Sequence, residues 1–257
     1  MVEIIFSKGG MKLSIITITY NNLNGLKRTL NLFEKVSFKE QIEYVIVDGG
    51  SSDGTKDYLQ NQNLTHVWVS EPDKGIYNAM NKGLSLASGE FVWFLNAGDY
   101  VEDLSVVQKI LSNLELDIDA LYGETMIVNE LGEHLGTRSE LSTRKLPKDL
   151  NWTSFRMGMN VGHQSFIIRK ELAETYDESI KHVSDIDWMI RSLKNCSKVR
   201  NINQIISCFT IDGHSTIHRK QSNKERFDVL SRHYGYFPNL WAHLKIVLRK
   251  IFSPFKI

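Results

Sequence analysis

Apolar runs alternate with helical patterns along the first hundred residues. Four runs, at 12–19, 44–47, 67–69 and 91–95, are almost continuously hydrophobic, which predicts buried strands. Between them, apolar residues recur at helical spacing over 23–33 and again over 76–87. The order β-α-β-α-β-α-β predicts an α/β fold with a mostly parallel central sheet and helices on both faces.

The second half of the chain is less regular. The pattern predicts a hairpin, formed by 121–128 and a strand around Gly136, that lies over a site at the strand ends. It also predicts strands at 162–169 and 202–211, and a short capped helix at 183–193 with Ser184 or Asp185 near its start. Because no repeat or low-complexity linker interrupts the chain, we interpret 11 to about 220 as one domain.

Composition and charge narrow the class of protein. The chain has 257 residues, 42% of them hydrophobic, and a formal net charge of +1, so no global field favours nucleic acid as a partner. Cys196 and Cys208 suffice for neither a disulfide framework nor a zinc site, which favours a reducing, cytoplasmic compartment. No apolar run approaches the roughly 20 residues of a membrane span. Residues 1–10 do not resemble a secretory signal, and we expect them to be an extension upstream of Met11.

Polar clusters follow the predicted strands at the points where the strands end. Asp48 precedes the turn-rich segment GGSSDGT, Asp73 and Lys74 open the second helix, and Asn96 begins the segment NAGD that ends at Asp99. In open α/β sheets, ligands bind outside the carboxyl ends of the strands. Glycines there let backbone N–H groups approach a phosphate, but each cluster could also be a helix cap, with Asp53 in that role, or a polar turn.

Three further groups have both a chemical and a structural interpretation. A carboxylate at the mouth of a buried strand is costly without a partner, and a divalent ion bridging Asp99 to a diphosphate would supply one. Asp185 and Asp187 diverge on a helix, so one could serve as a general base while the other caps the helix or pairs with Arg191. The histidines His163 and His214 could contact metal, phosphate or acceptor, or be structural.

Six segments occur in a characteristic order. They are SIITITYNN at 14–22, VIVDGGSSDGT at 45–55, SEPDKGIYNAMNKG at 70–83, GEFVWFLNAGD at 89–99, GHQSFIIR at 162–169 and SDIDW at 184–188. Together they resemble the inverting family 2 glycosyltransferases with a GT-A fold, especially bacterial enzymes of colanic acid, O-antigen and capsule assembly. The resemblance spans about 11–215 and implies a Rossmann-like nucleotide-binding half followed by an acceptor-binding half.

The resemblance also implies roles for particular residues. Those that would bind the nucleotide, with Asp48 on a base that is usually uracil, are Thr19, Tyr20, Asp48, Asp73, Lys74 and Asn81. Asp99 would hold Mg²⁺ or Mn²⁺, and His214 would make a second contact to metal or phosphate. Asp185 would be the catalytic base that activates the acceptor.

Two positions depart from the family pattern. The first position of the acidic metal motif is Asn96 or Ala97, so a single carboxylate would hold the ion and the diphosphate would supply much of the coordination. The base motif often reads Glu-Asp, whereas Ser184 precedes Asp185 here, which leaves Asp187 open as the alternative base.

The C-terminal segment 221–257 is predicted to be a basic amphipathic tail. From 229 onward it contains no Asp or Glu and five Lys or Arg. Its apolar residues share one helical face from Trp241 to Phe252, while Lys245 and its neighbouring cations lie largely elsewhere. This pattern is typical of a helix on an anionic membrane surface, although a terminal helix packed on the domain would also show it.

These observations predict an enzyme that moves a hexose or N-acetylhexosamine from a nucleotide-sugar, expected to be a UDP-sugar, to a lipid-linked saccharide in surface polysaccharide biosynthesis. It would act at the cytoplasmic face of the inner membrane, with polyprenyl-diphosphate-linked acceptors and no nucleic acid partner. Two alternatives are a nucleotidyltransferase, which would release pyrophosphate, and a nucleotide-sugar-binding protein without catalysis.

Overall fold

The computed structural model of the chain describes residues 12–33, 39–61, 66–114, 117–211 and 219–252. The strands are β1 (Leu13–Thr19), β2 (Ile42–Asp48), β3 (His66–Ser70), β4 (Phe91–Phe94), β5 (Ala120–Val128), β6 (His134–Thr137), β7 (Phe166–Arg169) and β8 (Val199–Thr210). The α-helices are α1 (Leu23–Asn31), α2 (Thr55–Gln60), α3 (Ile76–Leu86), α4 (Leu104–Asn113), α5 (Arg138–Leu141), α6 (Ser184–Lys194), α7 (Arg219–Tyr234) and α8 (Tyr236–Phe252).

One mixed sheet organises these elements. Its order is β3-β2-β1-β4-β7-β5-β6, with β8 paired to β5. The four strands of the first half run parallel, β7 is antiparallel to both β4 and β5, and β8 runs parallel to β5. The predicted α/β class with a mostly parallel sheet is confirmed, and the predicted β5–β6 hairpin is present.

Side chains alternate between two hydrophobic cores, one on each face of the sheet. Ile16, Val45 and Phe94 face the core that α3 and α6 cover. Leu13 and Ile46 face the core that α1 and α4 cover. Because successive strand residues point to opposite faces, strands buried on both faces must be apolar at nearly every position, as the continuous runs are.

The expected strand at 162–169 is only half strand. Residues His163–Ser165 form a 3₁₀ turn, and β7 begins at Phe166. The buried Ser165 hydroxyl lies 2.7 Å from Thr125 Oγ1 and 2.6 Å from Ser207 Oγ, and the carbonyl of Gln164 accepts from Trp93 Nε1. These side-chain bonds take the place of strand pairing, so the extended backbone starts later than predicted.

The start of α6 differs from the predicted capped helix. Val183 precedes it, and no side chain caps it in the usual way. The N–H groups of Ser184 and Asp185 instead face the hydroxyl of Tyr77, while Ser184 Oγ donates to the carbonyl of Asp177. The neighbouring helix α3 therefore supplies the acceptor that a local cap would otherwise provide.

The C-terminal helices pack on the domain by different amounts. Val229 and Leu230 of α7 are fully buried in the core beneath α6. The Asn239 side chain of α8 donates to the carbonyl of Phe227 and to Ser231 Oγ, which joins the two helices. Within the described residues, no helix combines the length and apolarity needed to cross a bilayer.

Candidate active site

Three neighbouring strands end in a row of polar residues. Thr19, Asp48 and Ser70 are register partners at the carboxyl ends of β1, β2 and β3. Asp48 is fully buried, and its oxygens accept from Ser51 Oγ at 2.5 Å and Ser70 Oγ at 2.6 Å. Asp48 therefore anchors the loop after β2 through hydrogen bonds. Its contact with a nucleotide base stays a prediction.

A cavity of about 610 Å³ opens at these strand ends. Its walls come from the ends of β1, β2 and β4 and from the start of α3, and they are formed by Ile18, Thr19, Tyr20, Asn22, Gly49, Pro72, Asp73, Gly75, Ile76, Ala79, Asn96 and Ala97. Tyr20 is 65% exposed, whereas Thr19 Oγ1 is buried and has no hydrogen-bond partner among the residues described. A concave apolar site with a few polar groups of this kind is suited to a small ligand.

Asp73 lies on the cavity wall, while Lys74 and Asn81 do not line it. Asp73 Oδ1 accepts from the N–H of Gly75 at 2.8 Å, and its Oδ2 lies 2.5 Å from where a Cβ on Gly49 would stand, so a side chain at 49 would collide with it. Lys74 is exposed, and the Asn81 amide exchanges hydrogen bonds with the backbone of Tyr176. Nucleotide contacts from Lys74 and Asn81 stay predictions.

The segment after β4 presents amide and carboxylate oxygens. Asn96 Oδ1 is buried and borders the cavity without a partner inside the described ranges, and Asp99 is 8% exposed. Gly98 has φ +106°, a conformation that favours glycine. The Thr29 hydroxyl donates to the carbonyl of Asp99 and accepts from the N–H of Gly98, which clamps the turn.

Oxygen donors of this kind fit a hard divalent ion held weakly by the protein. In the part of the chain that the structure describes, no three His, Cys, Asp or Glu side chains are grouped to hold a metal. The unpartnered Asn96 oxygen borders the cavity, whereas Asp99 is not among the residues that form its walls, so the metal contact of Asp99 stays a prediction. His214 lies outside the described residues.

Asp185 and Asp187 have different surroundings. Asp185 is half-buried in the first turn of α6, and burial raises its pKa against the opposing effects of the Ile186 N–H, Arg226 and Arg138. It also faces Tyr77, which lies between the cavity-lining residues Ile76 and Ala79 on α3. Asp185 does not itself line the cavity, and its role as the catalytic base stays a prediction.

Asp187 is paired with Arg191 and lies within hydrogen-bond distance of His233. It is 5% exposed, its Oδ2 accepts from Arg191 Nε at 2.7 Å, and its Oδ1 lies 2.8 Å from His233 Nε2. Burial alone would raise its pKa, but the bonds from His233 and Arg191 lower it overall. Asp187 thus has the pairing role that the sequence left open for one of the two carboxylates.

His163 belongs to an aromatic cluster. Its Nε2 lies 2.6 Å from the Tyr176 hydroxyl, and its ring packs against Phe94 and Trp188. Burial lowers the pKa of His163 to about 4, so the imidazole is neutral near pH 7. This placement favours the structural interpretation of His163.

Sequence reasoning missed several residues near the site. Asn22 lines the cavity, caps α1 through the N–H of Gly25, and donates to the carbonyl of Ala97. Its position directly before the helical pattern predicts a helix cap, which the structure confirms, but does not indicate its place on the cavity wall. Tyr77, Arg138 and Arg226 lie near Asp185, and no local pattern marks them because distant elements bring them there.

Comparisons with known proteins agree on one family. The family described as Glycosyl transferase family 2 matches residues 14–176. An uncharacterized glycosyltransferase of Mycobacterium tuberculosis is 28% identical over 249 residues, covering 93% of this chain and 92% of that protein.

Two solved structures share the fold. Staphylococcus aureus TarS, residues 1–349 in complex with UDP-GlcNAc, superposes with a TM-score of 0.67 at 20% identity, covering 85% of this chain and 65% of TarS 1–349. The mannosyltransferase PcManGT of Pyrobaculum calidifontis, in complex with GDP-Man and Mn²⁺, gives 0.62 at 16% identity, covering 92% and 73%. The chain thus spans about two thirds of that TarS fragment, and the predicted GT-A fold is confirmed.

Proposed function

The chain belongs to glycosyl transferase family 2 and is a glycosyltransferase, and we propose that it transfers a hexose or N-acetylhexosamine from UDP to a hydroxyl of a lipid-linked saccharide. The transfer inverts the anomeric centre and serves surface polysaccharide biosynthesis of the O-antigen, colanic acid or capsule type. One observation carries the proposal: helix α3 joins the cavity at the strand ends, which its Ile76 and Ala79 line, to the half-buried carboxylate Asp185, which interacts with its Tyr77.

The cavity is the donor site. Its volume of about 610 Å³ suits a nucleotide-sized ligand. The unpartnered Thr19 hydroxyl and the Asp73 carboxylate are polar groups available to a base and ribose, and the exposed Tyr20 ring offers a stacking surface. The TarS structure with UDP-GlcNAc and the PcManGT structure with GDP-Man support a nucleotide-sugar donor.

Asn96 and Asp99 would hold a divalent ion, Mg²⁺ or Mn²⁺, against the donor diphosphate. When bound, the ion neutralises the charge that the leaving nucleoside diphosphate gains. The PcManGT structure with Mn²⁺ supports this assignment. Asn96 contributes a neutral oxygen, so the protein alone binds the ion weakly.

Asp185 is the general base. It takes the proton of the acceptor hydroxyl while that oxygen attacks the anomeric carbon, and the bond between this carbon and the diphosphate oxygen breaks to release UDP. Arg138 and Arg226 help to keep Asp185 ionised, because both oppose the effect of burial on its pKa. A raised pKa brings the base closer to the operating pH, where proton transfer is most effective.

The exposed apolar side chains of α8 are the membrane contact. Phe237, Leu240, Trp241, Leu244 and Leu248 are each at least 46% exposed and recur at helical spacing. The absence of Asp and Glu from 229 onward suits an anionic surface. The enzyme then works at the cytoplasmic face of the inner membrane.

Replacing Phe237 and Trp241 by Gln should reduce co-sedimentation with phosphatidylglycerol vesicles, whereas Leu131→Gln, at an 84% exposed turn, should not.

The decisive experiment identifies the released nucleotide. The protein is incubated with a panel of UDP- and GDP-sugars, Mn²⁺ and lipid-linked oligosaccharide acceptors, and products are analysed by mass spectrometry. Release of UDP together with a product heavier by one sugar is the expected result. Pyrophosphate release would indicate a nucleotidyltransferase, GDP release would correct the donor, and binding without turnover on any acceptor would indicate a non-catalytic protein.

A further inference from the structure

Two arginines, Arg138 and Arg226, lie near Asp185, and a third, Arg144, lies near both of them. Arg138 begins α5, Arg144 follows that helix, and Arg226 lies on α7. Arg138 Nη2 donates to the carbonyl of Met159, and Arg144 Nε donates to the carbonyl of Met157, so both side chains converge on one short segment. A Cβ on Gly158 would stand 3.0 Å from the Arg144 guanidinium carbon, so this glycine allows the close approach.

Arg226 is held next to the segment that precedes Asp185. The adjacent Glu225 accepts from the N–H groups of Lys181, at 3.3 Å, and His182, at 2.7 Å. Arg226 Nε is buried and makes no hydrogen bond within the described chain. A guanidinium can donate five hydrogen bonds, and this N–H group is one that a ligand could accept from.

The three charges repel one another. Burial lowers the pKa of Arg144 to about 10, with further lowering by Arg226 and Arg138. Burial also lowers the pKa of Arg138, and Arg226 adds to this effect, while Asp185 and Glu124 oppose it. No ion pair within 4 Å joins any of the three arginines to a carboxylate among the described residues. Partly buried, unpaired cations are costly unless an anion occupies the space between them.

We propose that Arg138, Arg144 and Arg226 form a binding site for a phosphate-type oxyanion carried by the acceptor substrate. Guanidinium groups bind phosphate oxygens through paired, charge-assisted hydrogen bonds, which position a substrate as well as attract it. Arg138 and Arg226 lie near the proposed base, and none of the three arginines lines the donor cavity, so we assign the phosphate to the acceptor and not to the donor. This assignment rests on the proposed transferase function and specifies its acceptor as phosphorylated.

The test separates acceptor binding from donor binding. The full-length protein is first saturated with UDP and Mn²⁺, and glucose 1-phosphate is then titrated in by calorimetry, with methyl glucoside as the neutral sugar. We expect glucose 1-phosphate to bind and methyl glucoside not to bind. Arg226→Gln and Arg144→Gln should each weaken glucose 1-phosphate about tenfold to a hundredfold, the usual effect of losing a charged hydrogen bond. UDP affinity should change less than twofold.

Arg232→Gln is the matched control. Arg232 lies on the same helix as Arg226, but it is 57% exposed and reaches Asp177 at 3.6 Å. This variant should bind glucose 1-phosphate like the wild type. Arg226→Lys retains the positive charge but lacks the paired donors of the guanidinium, so it should bind glucose 1-phosphate with intermediate affinity. This variant replaces Arg226→Gln if the latter does not fold.

A second arm distinguishes the source of the phosphate. Binding to phosphatidylglycerol vesicles is compared between the wild type and Arg226→Gln. If the substitution weakens vesicle binding, the phosphate belongs to a lipid; if it weakens only glucose 1-phosphate, the phosphate belongs to the saccharide. If the arginine variants bound glucose 1-phosphate and the vesicles as tightly as the wild type does, the proposed site would be overturned. Displacement of UDP by glucose 1-phosphate would also overturn it. If the wild type binds no UDP, the proposal of a UDP-sugar donor fails. The titrations with glucose 1-phosphate can then be run without UDP, and they still test the arginine site.

Discussion

The proposed donor side, at the strand ends, and the proposed acceptor side, around Asp185, position their polar groups by different means. On the donor side, Thr19, Asp48 and Ser70 stand in register across three parallel strands, so backbone pairing sets their spacing. On the acceptor side, Asp185 begins a helix whose surroundings are fixed by side-chain bonds, such as those of Asn81 to Tyr176 and Glu225 to His182. Individual substitutions should therefore disturb geometry more on the acceptor side.

The largest expected effect is on the rate of sugar transfer, and it distinguishes Asp185 from Asp187. Asp185→Asn should slow sugar transfer at least about a hundredfold with donor affinity retained, because the general base is lost. Steady-state kinetics and UDP titration measure the two quantities. Near-normal turnover would reject Asp185 as the base.

Asp187→Asn is the matched control. Its loss leaves Arg191 and His233 without their carboxylate, which should lower the free energy of unfolding by about 3 kcal/mol. The turnover of the folded fraction should stay within a few-fold of the wild type. Chemical denaturation combined with active-site titration checks this, and a rate loss equal to that of Asp185→Asn would make the two roles inseparable.

Acidification should weaken the acceptor side through His163. Its pKa in the folded protein is lowered to about 4 by burial, below the ordinary value of about 6.5 in the unfolded chain. The unfolded state therefore binds the proton first, so this contribution is complete above about pH 6.5 and is lost as pH falls towards 4. The loss amounts to about 3 kcal/mol.

Denaturant unfolding between pH 7 and pH 4 measures this loss. His163→Gln should be less stable at pH 7 because it disturbs the aromatic packing, but its stability should fall less steeply over the same interval. An unchanged slope would show that His163 does not titrate in this way.

On the donor side, substitutions are expected to change the affinity for the divalent ion more than the stability of the fold. Asn96→Ala should raise the Mn²⁺ concentration for half-maximal activity on the order of tenfold, and Asn96→Asp should lower it, because a carboxylate binds the ion more strongly. Since Asn96 Oδ1 has no partner in the described structure, its removal should leave thermal stability nearly unchanged.

Asn22→Ala provides the contrast on the same cavity wall. Asn22 caps α1, so its loss should cost about 1 kcal/mol of stability. Mn²⁺ titration and thermal unfolding of both variants test the distinction. If Asn96→Ala proved the less stable variant, its oxygen would have a structural partner.

The smallest expected effect is a shift in pH dependence. As the proposed base, Asp185 must be ionised for activity, and its raised pKa should place the acid limb of kcat/KM above the range of an ordinary aspartate. Arg226 lowers that pKa, so Arg226→Gln should move the limb to higher pH. A pH–rate profile of both proteins checks the direction, and a shift to lower pH would contradict it.

The sequence predicted the donor side better than the acceptor side. Buried parallel strands require continuous apolar runs, so the strands preceding Thr19, Asp48 and Asn96 were recognisable without coordinates. The turn at His163–Ser165 was not, because bonds from Trp93, Thr125 and Ser207 replace strand pairing there. The choice between Asp185 and Asp187 also needed coordinates, because His233 lies on another helix.

The order of apolar runs and strand-end motifs thus determined the α/β class, the family and only part of the cavity wall, since Thr19, Tyr20 and Asp73 line the cavity while Lys74 and Asn81 do not. These properties depend on local periodicity and on the sheet rule that neighbouring parallel strands end at one edge. Only the tertiary structure decided that Asp187 is paired, that His163 is a neutral core residue and that Arg138 and Arg226 lie near Asp185. Each of these outcomes depends on burial and on charges brought together from distant segments, which no local pattern in the chain encodes.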